Sequence, residues 1–153
     1  MNATRSLATV ALVLVLALAG AAHALEFRRI GQVEDDLGGS VVGVDTSDTG
    51  NVFMAIHEDG LHYVVVMSRD NAVGIAGLLE TAFAQGRHLP EGGAKGLYSK
   101  SPNGSGQLTV IAMRENGELW VVLGIRDGLR GSALFRSPQS LKRVANLLRR
   151  ASR

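Results

Sequence analysis

His57 and His62 flank the dipeptide Asp59-Gly60, with Glu58 and Leu61 between. If that dipeptide is a hairpin turn, the two imidazoles stand opposite each other. A type I′ turn needs positive φ at both central residues, which Asp-Gly tolerates well. Cross-strand Cβ atoms lie ~4.5–5.5 Å apart, near enough for two rings to chelate a metal ion or share a proton. A zinc site normally takes more than two protein ligands, so Glu58 or Asp59 would have to contribute. One expectation is therefore a small metal-binding protein or hydrolase built on His57 and His62. The alternative is two partly exposed hairpin residues with no ligand. No other cofactor is implied.

A second cluster is basic. Arg136, Lys142, Arg143, Arg149 and Arg150 form its centre, with Arg126, Arg130 and Arg153 around it. Such a series can follow a phosphate backbone or an anionic headgroup surface. Aromatic residues that could stack on bases are few here, with Trp120, Tyr98 and Phe135 the candidates.

Other familiar chemistry is missing its pattern. Gly104–Gly106 (GSG) lacks the G-x-S-x-G of a nucleophile elbow. Gly92–Gly96 (GGAKG) follows its lysine with glycine and opens no helix, unlike a phosphate loop. Ser68, His88 and the aspartates show no spacing of a catalytic triad, and Ser68 is placed to cap a helix. The absence of cysteine excludes thiol catalysis, disulfides and a lipidated N-terminal Cys. Glu34-Asp35-Asp36 and Glu58-Asp59 sit near turns and read as solvated surface. A non-enzymatic binding or interaction module is the reading these residues favour, with an unknown protein or an anionic ligand as partner.

The first 24 residues read as a secretory signal peptide. Arg5 is followed by an apolar stretch from Leu7 to Ala19, and Ala22-His23-Ala24 offers small residues at −3 and −1 of a cut. That stretch is short for a membrane span, and no similar one follows. The expectation is an exported chain, most simply in a bacterial periplasm or fully secreted, with no span after processing. Residues 25–153 suffice for a single compact domain. Charge divides unevenly within it: Leu25–Gly96 holds 5 Lys/Arg against 11 Asp/Glu, a net −6, and Leu97–Arg153 holds 10 against 3, a net +7. Such halves either attract each other or present a charged face to a partner.

The elements that must position these residues repeat. Val41–Val44, Asn51–His57 and Leu61–Met67 read as strands, followed by a helix from a Ser68 cap to about Gln85, with Gly86 as its C′ residue. Leu108–Met113, the Asn116-Gly117 turn, Glu118–Ile125 and Ser132–Phe135 repeat the order, and Ser137-Pro138 opens a second helix. Val41 and Leu108 are 67 apart, as are Asn51 and Glu118. Leu25–Ile30 and Gly96–Lys100 add a leading strand to each unit. The fold class expected is α+β: two pseudo-repeated βββα or ββββα units of antiparallel sheet, with a first half at about 25–86, a linker at about 87–106 and a second half at about 107–153. The few charges on the first helix predict that it is the more deeply buried.

This order of elements resembles that of the Whirly single-stranded-DNA-binding family over most of residues 25–153. The resemblance implies the architecture; an exported chain carries no expectation of a transcriptional role. Apolar residues on both faces of the hairpins predict that one sheet face is covered by the other sheet, by loops or by another copy, which makes a homodimer a further expectation.

Overall fold

The computed structural model describes residues 26–127 and 130–153. The segment read as a leader, 1–24, lies outside the described residues. Two antiparallel meanders are present. The first runs β1 (Phe27–Glu34), β2 (Ser40–Ser47), β3 (Val52–Glu58), β4 (Leu61–Met67) and is followed by helix α1 (Arg69–Gly86). The second runs β5 (Ala94–Lys100), β6 (Gln107–Glu115), β7 (Glu118–Arg126), β8 (Arg130–Phe135) and is followed by helix α2 (Pro138–Ala151). Each sheet keeps its strands in chain order. The fold is α+β in two pseudo-repeated ββββα units. No helix among the described residues is long and apolar enough to cross a membrane.

Local chemistry sets the frame. Both predicted hairpins carry two positive φ values, 51° and 76° at Asp59-Gly60 and 53° and 78° at Asn116-Gly117, as a type I′ turn requires. Ser68 and Ser137 cap the helices, their hydroxyls accepting the N–H of Asn71 and Ser140. The leading strands share a second device. Each contains a bulge, between Arg29 and Gly31 in β1 and between Gly96 and Tyr98 in β5. The extra residues, Ile30 and Leu97, turn apolar side chains against the core. A bulge bends and twists an edge strand and so discourages pairing with other chains.

The core joins both halves. Met54, Ile56, Val65 and Met67 of the first sheet and Val110, Val121, Leu123 and Ile125 of the second are fully buried in one cluster. The helices are exchanged: α1 packs on β5, β6 and β7, whereas α2 packs mainly on β1 and β2, and the helices lie against each other. Close approach at these seams depends on glycine. A Cβ on Gly31 would lie 2.7 Å from Leu147, and one on Gly86 would lie 2.8 Å from Ala112.

Two expectations about α1 change. Gly86 is the last helical residue, not a left-handed C′ residue, and Arg87 is the C-cap in right-handed conformation. What Gly86 supplies is absence of a side chain where the helix meets β6. Nor is α1 the more deeply buried helix. Its additional small residues face outward, with Val73 43% exposed and open space beside Gly74 and Gly77. α2 buries Leu141, Val144, Ala145, Leu147, Leu148 and Ala151 within a shorter span.

Candidate functional site

Of the acidic residues read as solvated surface, Glu34 and Asp59 are exposed, whereas Asp35, Asp36 and Glu58 are not simply solvated. Asp35 is 6% exposed. Its Oδ1 accepts the N–H groups of Gly39 and Ser40, and its Oδ2 accepts the N–H of Leu134 on β8. Asp36 Oδ2 accepts the N–H groups of Arg136 and Ser137, and its Oδ1 accepts the Ser140 hydroxyl. Burial alone would raise the Asp36 carboxyl; those hydrogen bonds and the Arg136 charge outweigh it and hold the group below its ordinary range. Glu58 Oε2 accepts the N–H of Ser132, and the Ser40 hydroxyl donates to the carbonyl of Ser132. The outward edge of β8 is thus closed by side chains of the first half.

The second half answers in kind. Asp127 Oδ2 accepts the N–H of Val64 on β4 at 3.0 Å. The β5–β6 loop lies along the same edge, where Asn71 Nδ2 donates to the carbonyl of Pro102. Gly106, with φ +72°, sits so near that a Cβ would come within 2.6 Å of the Val64 carbonyl oxygen. Glu91 likewise holds the N–H groups of Asn116 and Gly117 in the second hairpin turn.

This use of carboxylates bears on the arginines. Among the described residues two side-chain ion pairs form, Arg29 with Asp45 and Arg149 with Glu80. Of the predicted basic centre, Arg149 is therefore neutralised, and its bidentate bonds draw the Glu80 pKa down. Lys142 stands beside the same glutamate on α2, and Arg136 lies beside Asp36. Arg143 and Arg150 are exposed, have no carboxylate partner among the described residues, and share one stripe of α2 at i, i+7.

The fold adds basic residues that the sequence assigns to the acidic half. Arg28 and Arg29 on β1 come together with Arg150 and Arg153 around a cleft of about 340 Å³. Arg28 and Arg153 also line an adjoining cleft of about 510 Å³ that takes in Arg69 together with Glu26 and Asp48. Nothing local in the sequence marks this convergence; it follows from α2 crossing onto β1. Farther away, Arg126 and Arg130 are cross-strand neighbours beside Gln107, Thr109 and Ser99.

The histidine pair stands as the hairpin register requires. His57 pairs with His62 across β3 and β4. Their ring centroids are 4.5 Å apart with planes at 82°, and the two Nδ1 atoms face each other in a hydrogen bond. Gly43 on β2 makes room for the His57 ring, whose Nε2 would be 3.1 Å from a Cβ there. Burial lowers the His57 pKa, as do the charges of His62 and Arg29, with Asp45 opposing. Glu58 does not join the pair, because its carboxylate is engaged with Ser132. Among the described residues no group of three His, Cys, Asp or Glu side chains is arranged to hold a metal.

No known protein family matches the chain, and no curated protein is significantly similar to it.

Proposed function

We propose that this chain is an exported, non-enzymatic binding module for a polyanion, engaged where β1 meets the C-terminal end of α2. The observation that carries this reading is the fate of the carboxylates. Asp35, Asp36, Glu58 and Asp127 are directed to main-chain N–H groups across the seam between halves. They do not neutralise the guanidinium groups of Arg28, Arg143, Arg150 and Arg153. The attraction between an acidic and a basic half is thus taken up in closing strand edges, and a net positive ridge is left facing solvent. Export rests on residues 1–24.

Recognition on this ridge is by charge. Among the described residues Phe27, 58% exposed beside Arg28, is the aromatic candidate for stacking on this ridge, so discrimination among bases is not expected. The resemblance in element order to the Whirly family makes single-stranded DNA one polyanion to include. The test is fluorescence anisotropy with a labelled heparin oligosaccharide and with single-stranded DNA of similar charge, across a range of salt. Binding should fall steeply with salt, as counterion release dictates, and the triple variant R28E/R150E/R153E should lose it. Equal affinity in that variant, with its circular dichroism unchanged, overturns the reading.

A further inference from the structure

We propose that His57 and His62 form a bidentate, solvent-open site for a divalent transition ion, with Cu²⁺ the preferred occupant. The inference is independent of the polyanion reading. The register places the two imidazoles on one face of one hairpin, where a type I′ turn fixes the pairing of their backbones. Both Nδ1 atoms are directed at each other. Two nitrogens bound to one ion at ~2.0–2.1 Å are separated by roughly 3 Å. A modest rotation about the soft terminal torsions of the two rings provides that separation.

The electronic state of the pair suits ligation. In the resting pair one Nδ1 carries the hydrogen and the other accepts it. Metal binding needs both lone pairs, so that hydrogen moves to Nε2 of its own ring, and no net proton is released from the neutral pair. The charged groups facing His57 are Arg29 from β1 and Asp45 from β2, which are paired with each other.

The choice of ion follows from what is not gathered there. With no third ligating side chain joining the pair among the described residues, water must fill the remaining positions. A four-ligand structural zinc site is excluded on that count, and an ion that binds imidazole strongly through few ligands is favoured. Cu²⁺ stands at the head of the affinity order for divalent first-row ions, with Ni²⁺ below it.

The experiment is titration of the purified protein with CuCl₂, read by electron paramagnetic resonance and calorimetry, on the native sequence and on H57N, H62N and H88N. One Cu²⁺ per chain is expected, with superhyperfine structure from two imidazole nitrogens. H57N and H62N should each weaken binding roughly tenfold or more, and H88N should leave it unchanged. A signal from a single imidazole in the native protein overturns the proposal. So does binding that survives the H57N/H62N double variant, which would place copper elsewhere. The native-protein spectrum decides the matter even if a variant folds poorly.

Discussion

Glu58 and Asp127 are reciprocal partners across the two halves: each ends or follows the third strand of its own sheet and accepts a main-chain N–H from the last strand of the other. Glu58 holds Ser132 on β8, and Asp127 holds Val64 on β4. A last strand has an unpaired row of N–H and C=O groups, which invites pairing with another chain. Here carboxylates occupy donors in that row, and Asp35 and Asp36 extend the cover along β8 as far as the cap of α2.

Asp35→Ala should be among the most destabilising single changes on the surface loops. It would strand the N–H groups of Gly39, Ser40 and Leu134 around a buried position. The expected loss is about 2–3 kcal/mol, read as a lower urea midpoint with an unchanged m-value. A loss no greater than that of an exposed aspartate such as Asp70 would refute the role.

Acid should weaken the fold in two separate windows. The Asp36 carboxyl titrates below its unfolded value of about 3.8, so its stabilisation is present above that pH and is lost as pH falls through the lower folded value. His57 also has a depressed folded pKa. The unfolded chain takes up that proton first, so stability declines as pH drops from about 6.5 toward the folded value. Urea denaturation from pH 8 to pH 2 should resolve both declines. D36N should flatten the lower one and H57N the upper one, each without touching the other.

Glycines divide sharply by surroundings. At Gly131 a Cβ would come within 2.0 Å of the Tyr63 ring, and Gly131→Ala should destabilise by about 1–3 kcal/mol through overpacking. Gly74 lies in the exposed interior of α1 with nothing within 4 Å. Gly74→Ala should stabilise by about 0.5–1 kcal/mol, since glycine is poor in a helix interior. Thermal melts of the two variants should move in opposite directions.

Glu80→Gln should raise affinity for heparin. The change releases Arg149 and removes the negative charge beside Lys142, raising the net charge of that face by one. Because Glu80 and Arg149 are near solvent, stability should hardly change. A heparin-column elution at unchanged salt would show that this face takes no part in binding.

Much of the frame was legible because its signals are local. Asp59-Gly60 and Asn116-Gly117 declare their turns, Ser68 and Ser137-Pro138 declare their helix starts, and the turn then sets the pairing of His57 with His62. The roles of Asp35, Asp36 and Glu58 were not legible. Their partners in the other half lie 74 to 104 residues away along the chain, and a carboxylate beside a turn has the same sequence pattern whether it meets water or a distant N–H. Gly86 is ambiguous for a related reason: a glycine after a helical stretch serves equally as a left-handed cap and as a point of close packing. Arg28 and Arg29 belong to the acidic half by sequence, and only the crossing of α2 onto β1 puts them beside Arg150 and Arg153.

The exchange of helices between the halves has a consequence for how this chain reaches its native state. A single ββββα unit has a sheet whose apolar face waits for a helix it does not own, and a helix with no sheet to lie on. Neither can close its interior alone. Each unit's sheet and helix are therefore completed by elements of the other.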